Sequence, residues 1–572
     1  MRINPGQEIR TAVNVNRQYM QAIVVLPRIN SKPRKGTGML PLRRPSIYTL
    51  LAAVLTAAFL WTLPAQAQVT ALKQAIAEAA AKDKDIAAFY RANGYKQIWT
   101  GRSGKDRSRR RALMTALSEA SAHGLPAARY DAAGLLARMK SARTTREIGT
   151  LEVQISETFL RYSRDMQTGV LIPSKIDSGI VRKVPYRDRL SYLVNFTKSS
   201  PSGFMRALPP KTHEYAALMK QKLLLERVLG KGGWGQRVPA KSLKPGQSGN
   251  SVIILRNRLI TMGYLKRTAT QTYDAAIQKA VQSFQVAHGL SADGVAGAST
   301  IEQINTSVEA RLQAIIVAME RERWVNRERG KRHVLVNLTD FTARIMDNDK
   351  VTFQTRSVIG HRDLDRRSPE FSDVMEFMVI NPSWYVPRSI ITKEYLPALQ
   401  RNPNAVRHLE ITDSRGRAVN RSSVNFSKYS AKTFPFAMRQ PPSRGNALGL
   451  VKFMFPNKHN IYLHDTPAKN LFSREVRAYS HGCIRLADPF DFAYALLAKQ
   501  TSDPEGYFQS VLKSGKETSV TLKEPVPVHL IYRTAFTDHK GGMEYRRDIY
   551  GRDAKIWSGL ARAGVALRAV RG

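Results

Sequence analysis

A chain of 572 residues is longer than one hydrophobic core usually supports, and 43% hydrophobic residues excludes a disordered protein, so two to four globular domains are expected. The formal charge of +45 favours polyanionic surroundings such as nucleic acid, anionic lipid or an acidic wall polymer. One cysteine, Cys483, excludes a disulfide within the chain.

Residues 1–47 hold nine Lys or Arg against Glu8, so +37 of the charge belongs to the remainder. From Ile47 to Leu63 runs the uncharged stretch "IYTLLAAVLTAAFLWTL", preceded by Arg43 and Arg44 and followed by Ala65-Gln66-Ala67, a small-x-small cleavage pattern. Residues 1–67 therefore read as a leader and export signal cleaved after Ala67, and a start at Met39 gives a signal of ordinary proportions. A retained N-terminal anchor in contact with the inner membrane is the competing reading, because 17 residues fall between a signal core and a membrane span. Either way the rest lies outside the cytoplasm, which argues against nucleic acid as a partner. Exported chains normally use cysteines in pairs, so a lone thiol reads as a reactive group, with a leftover structural thiol as the alternative.

Residues 68–240 are expected to form a helical domain. "ALKQAIAEAAAKDKDIAAFYRANGY" and "LEVQISETFLRYSRDMQTG" place apolar residues at helical spacing, with Gly94 and Gly169 as stops. "GKGGWGQRVPAKSLKPGQSGN" has linker composition. Residues 248–306 then form a compact unit: Ile277, Ala280, Val281 and Phe284 share a helix face, Gly289 suits a left-handed C-cap, and Asp293-Gly294 turns into a further helix. A three-helix bundle is predicted.

From about residue 330 the pattern changes to strands. "RHVLVNLTDFTARIMD" predicts a hairpin that "VTFQTRSVIG" continues, and "MEFMVINPSWYVP" predicts a further strand ended by prolines. Residues 391–433 are polar and less regular, as an inserted lid would be. Strand signals return in "LGLVKFMFPN", "NIYLHD" and "SVTLKEPVPVHLIYRTAF". The fold class is thus α+β multidomain, ending in a mostly β domain at 330–553 with an insertion.

A cysteine nucleophile needs a base, a group to orient that base, and N–H donors facing the oxyanion. His481 lies two residues before Cys483, on the same face of a strand but about 7 Å along it, an awkward reach for a hydrogen bond. His459 sits in a turn. His464 ends a strand of its own, and adjacent strands would set it beside the cysteine. On these grounds His464 and His481 both remain candidates.

Two resemblances extend the reading. Gly263, Tyr264, Tyr273, Asp274, Phe284, Gln285, Gly289, Leu290, Asp293, Gly294 and Gly297 match the pattern of the peptidoglycan-binding module of wall enzymes. "NIYLHDTP…SHGCIRL", an upstream histidine followed by Ser-His-Gly-Cys, resembles the signature of the L,D-transpeptidases, the YkuD-type catalytic domain. "INPSWYVPRSI", "RQPPSRGNALGLVKFMFPN" and "DIYGRD" are similar to the large periplasmic members, which carry arginine at the position of Arg485 where many smaller members have asparagine.

The resemblance implies a periplasmic enzyme acting on peptidoglycan stem peptides, with no cofactor or metal. Cys483 is then the nucleophile and His464 its base. The Asp465 carbonyl orients the imidazole, and the N–H groups of Gly482 and Cys483 face the oxyanion. Tyr462, Arg485, His481 and Trp384 are the expected substrate contacts, with an ion pair to Asp488 or Asp491 as the alternative for Arg485 and simple packing for Trp384. A hydrolase using water as acceptor, and a non-catalytic wall-binding scaffold, are the competing functions.

Overall fold

A computed structural model describes residues 63–325, 328–538 and 541–570. Most of the apolar stretch from Ile47 to Leu63, with the leader and Met39, lies outside the described residues. Among those described, no helix is long and apolar enough to cross a membrane. Residues 68–572 form one compact unit.

The N-terminal part is helical, and its central helix α1 spans Thr145–Thr168. Thr144 and Glu147 exchange hydrogen bonds in a capping box that satisfies the first free N–H groups. α1 ends at Gly169, where φ is +90° and a Cβ would lie 2.6 Å from the Glu320 carboxylate. Only glycine allows that approach. Along α1, Glu152 is fully buried and accepts hydrogen bonds from the backbone of Ile98, Trp99 and Thr100 and from the Tyr90 hydroxyl. The helix α2, His213–Gly230, belongs instead to a separate core shared with a later connecting helix.

In the next unit Ile277, Ala280, Val281 and Phe284 are buried along α3, Ala275–Ala287. Asp274 caps it by accepting the Ile277 N–H. Gly289 follows at φ +64°, and the Leu290 N–H returns to the Gln285 carbonyl. His288 stacks between Phe284 and Tyr545, fixing the unit to the C-terminal hairpin.

The connecting helix α4, Val308–Trp324, packs against α2 and against the C-terminal helix α5, Arg552–Arg562. Ile180, Ile316, Val317, Trp324, Ile556 and Leu560 form that joint. The C-terminal end of the chain therefore folds back onto the helical part.

Between α4 and α5 lies a nine-stranded sheet. Its strands are β1 (Arg332–Asn337), β2 (Thr342–Asp347), β3 (Lys350–Gly360), β4 (Phe371–Ile380), β8 (Val451–Met454), β9 (Leu463–His464), β10 (Ala478–Ser480), β11 (Ile484–Leu486) and β12 (Thr518–Ile531), in the order β10-β3-β11-β9-β8-β4-β12-β1-β2. The long β3 also pairs with β2, which closes the sheet on itself. Inside it pack Val336, Phe453, Leu463, Ile484 and Phe492.

The insertion is larger than 391–433. Trp384–Tyr385 (β5), Glu410–Thr412 (β6) and Ala437–Gln440 (β7) form a separate three-stranded sheet, with Trp384 paired to Gln440. "PSWYVP" is therefore not the end of β4. β4 stops at Ile380, Asn381 turns the chain at φ +55°, and Trp384 enters a second core with Val386, Leu399, Ile411, Phe434 and Met438.

Candidate functional site

Cys483 is half-buried at the entry to β11, beside β9. These strands are parallel and pair Ile484 with Leu463 and Arg485 with His464. Side chains alternate along a strand, so the apolar pair enters the core while Cys483, Arg485, Tyr462 and His464 share the opposite face. Adjacent-strand register thus brings together residues 19 positions apart in sequence.

His464 is 3% exposed, and its Nδ1 lies 2.5 Å from the Asp465 carbonyl oxygen. A carbonyl only accepts, so Nδ1 carries the proton and Nε2 is the basic nitrogen, with the Leu448 carbonyl also near the ring. Burial lowers the imidazole pKa to about 3, with the Arg485 and Lys452 charges acting in the same direction. The ring is therefore a neutral proton acceptor at any ordinary pH.

The Asp465 side chain is spent on structure: it accepts from Leu450 N, Thr466 N and Lys469 Nζ. Gly449 (φ +61°) passes so close that a Cβ would lie 2.3 Å from this carboxyl group. Gly449→Ala is expected to cost about 1–3 kcal/mol through strain at a positive φ and displacement of Asp465. A lower thermal midpoint together with reduced turnover would show it.

The thiol donates to the Asn460 carbonyl at 3.4 Å. Burial pushes its pKa up to about 11, against the lowering effects of the Tyr462 backbone N–H, the Tyr462 hydroxyl and the Arg485 charge. Tyr462 thus meets the sulfur through two groups, and its ring stands 5.6 Å from that of His464. Trp384 is 8% exposed in the insertion core and bonds the Tyr462 side chain, which ties the lid to the nucleophile.

Gly482 departs from its expected part. Its φ of +116° is a glycine conformation, but its N–H donates to Ser480 Oγ at 3.1 Å, while Ser480 Oγ donates to the Cys483 carbonyl. A Ser two residues upstream commonly captures a backbone N–H in this way. Among the described residues no backbone acceptor is recorded for the Cys483 N–H. The Gly482 carbonyl is held by Ser368 Oγ at 2.6 Å.

His481 bonds to the insertion. Its Nε2 lies 2.7 Å from Glu394 Oε1 in the insertion, and Arg366 reaches the same oxygen at 2.9 Å. His481 therefore ties the segment before Cys483 to the insertion, its Nε2 committed to Glu394. His459 packs on Phe371. Among the described residues Arg485 has no carboxylate partner: Asp488 instead accepts from Thr355.

Asn460, Lys452, Ser480, Ser368 and Glu394 are site residues that motif reading passes over. Ser480 alone had a local signal, its spacing to Gly482. Among the described residues, no group of three His, Cys, Asp or Glu side chains is placed to hold a metal ion.

The sequence pattern of the family described as "L,D-transpeptidase catalytic domain" matches residues 331–520, which contain the whole of this arrangement. Residues 331–520 are thus similar to L,D-transpeptidase catalytic domains. Two further patterns match beside it: "Scaffold domain" over residues 84–221 and "Putative peptidoglycan binding domain" over residues 248–304. A curated protein of Haemophilus influenzae named "Putative L,D-transpeptidase" is 32% identical over 225 residues, 39% of this chain and 45% of the relative. The chain thus spans less than half the length of that relative.

Two solved L,D-transpeptidase structures, from Xylanimonas cellulosilytica and Stackebrandtia nassauensis, are 16% and 14% identical and align over 51% of this chain and 98% and 96% of theirs. Their TM-scores of 0.16 and 0.21 are too low to bear on the geometry of the domain at residues 331–520. That domain is a closed, mostly antiparallel sheet with the thiol and the imidazole on one outer face under an inserted lid.

Proposed function

We propose that the chain is a periplasmic L,D-transpeptidase that crosslinks peptidoglycan stem peptides through Cys483. The observation that best supports this reading is the pairing of β9 with β11, which brings the segments bearing His464 and Cys483 side by side, with His464 Nδ1 held by the Asp465 carbonyl.

In the acylation step the thiol proton passes to His464 Nε2 as sulfur attacks the carbonyl carbon of the third stem residue, a diaminopimelate. The developing oxyanion takes the Cys483 N–H. The bond to the terminal D-alanine then breaks, its nitrogen leaves with the proton from His464, and a thioester remains. The side-chain amine of a second diaminopimelate attacks the thioester and gives a proton to His464, which returns it to sulfur as the thiolate departs. The peptide bond that forms replaces the one that broke, so no external energy source is required.

The peptidoglycan-binding unit, rigidly stacked on the C-terminal hairpin through His288 and Tyr545, supports a substrate within the wall. The net charge of +37 outside the leader suits a polymer rich in carboxylates.

Purified protein incubated with disaccharide-tetrapeptide is expected to release D-alanine and give a dimer short of one D-alanine by mass spectrometry. Cys483→Ala should give neither product. Monomeric tripeptide alone would identify a hydrolase instead, and unchanged substrate would leave only a binding role.

A further inference from the structure

Three basic side chains form a row across the face on which Cys483 stands. β8, β9 and β11 are hydrogen-bonded neighbours whose register sets Lys452 opposite His464 and His464 opposite Arg485. Residues in register on adjacent strands project to the same side, and strands lie about 4.8 Å apart. Lys452 and Arg485 therefore flank the imidazole, their Cα atoms about 10 Å from each other.

Among the described residues neither cation has an ion-pair partner within 4 Å. Arg485 forms no ion pair, and its Nε is a buried donor without an acceptor. Lys452 is half-buried and feels only the charge of Glu517, whose Oε1 is bonded to the Ser383 N–H at 2.9 Å. Burial lowers the pKa of both groups, and neither the Glu517 charge near Lys452 nor Cys483 near Arg485 offsets it.

Such burial disfavours the charged forms until a counter-charge arrives. Packing gives no reason for it, since neither side chain crosses into the core behind the sheet, which is closed by Phe453 and Ile484. An arriving anion would supply that counter-charge, and the site lies beside the nucleophile.

We propose that Lys452 and Arg485 together form a carboxylate-binding subsite for the donor stem peptide, which they hold across His464. The proposal rests on the transpeptidase reading for the identity of the peptide. A donor tetrapeptide offers this chemistry from two sources, the terminal D-alanine carboxylate and the free carboxylate of diaminopimelate. Arginine can grip a carboxylate through two parallel N–H bonds, whereas lysine acts as a point charge that tolerates the peptide's movement as D-alanine leaves.

Full-length protein carrying Cys483→Ala is titrated by calorimetry with three tetrapeptides: the free acid, the C-terminal carboxamide and the diaminopimelate carboxamide. One carboxamide is expected to bind at least tenfold more weakly than the free acid, and which one does so identifies the source. Lys452→Met and Arg485→Gln, each added to that protein, should each lose most of the preference for the free acid. Both should still bind the discriminated carboxamide as before, which also certifies their folding. Lys452→Arg should restore part of the preference.

Equal loss on all three peptides, an unchanged preference in both variants, or no binding of any peptide overturns the subsite. D-alanine release by protein with Cys483 intact is measured separately. Its absence sinks the transpeptidase reading, while the carboxylate preference remains readable.

Discussion

Arg552→Ala is expected to destabilise the protein by about 3–5 kcal/mol, because it removes one member of a buried charge network and leaves carboxylates unpaired. Arg552 is 0% exposed on α5. Its guanidinium lies 3.3 Å from Glu370 Oε1 and 3.7 Å from Asp177 Oδ1, and donates to the Ser368 carbonyl at 3.0 Å. Arg321 on α4 holds the other oxygen of Glu370 at 2.6 Å and Asp553 at 2.9 Å. These residues come from the helical part, from α4, from the segment that leads into β4 and from α5. The network thus joins the units at one point, and the bridge between Ile180 and Glu370 runs through it.

The exposed pair Arg138–Asp131 provides the contrast. Its side chains are 45% and 56% exposed, so Arg138→Ala should change stability by less than about 1 kcal/mol. Arg552→Ala should also reach the active site, since the same Ser368 whose carbonyl it holds fixes the Gly482 carbonyl through its hydroxyl. Denaturant midpoints of both variants, with proteolysis at the junction near Ile180, check this. An Arg552→Ala protein as stable as Arg138→Ala would mean that the network contributes nothing net.

Local chemistry was legible in the sequence and lateral register was not. The helix stops at Gly169 and Gly289, the cap at Asp274 and the buried face of α3 depend on residues within a turn or two of one another, so their spacing specifies them. The short strand ending at His464 was visible as an apolar run with one polar end. What it pairs with is another matter. Lys452 stands opposite His464 only because β8 turns back antiparallel to β9, and a one-residue slip would have sent it to the core.

Glu394 reaches His481 across 87 positions of sequence, from within an insertion whose fold no periodicity announces. The insertion boundary fails for a similar reason. "PSWYVP" carries the aromatic and β-branched signal of a strand, and it is one, but in a different sheet. At Gly482 the error was of competition: its N–H was free for an oxyanion only if Ser480 did not claim it first.

His464→Ala is expected to slow D-alanine release by about 10²–10⁴-fold, the usual contribution of a positioned base. The pH behaviour separates two ways in which the base could act. With the imidazole lowered to about 3 and the thiol raised to about 11, both groups are neutral between those values, so the resting pair is thiol and imidazole, not thiolate and imidazolium. The sign follows for each group. Acidification has to approach pH 3 before His464 is protonated and lost as a base, and alkalinisation has to approach pH 11 before the thiolate dominates. Alkylation of Cys483 by iodoacetamide needs the thiolate and has no positioned proton acceptor, so its rate should climb about tenfold per pH unit through the neutral range, without a plateau. Acylation by tetrapeptide transfers the proton within the site and should be nearly flat there. His464→Ala should then leave the alkylation profile close to that of the parent while acylation collapses, and His481→Ala, whose ring is committed to Glu394, should retain acylation far better. An alkylation plateau with a midpoint between about pH 5 and 8 would instead reveal a preformed ion pair, because only a thiolate stabilised by imidazolium titrates in that window.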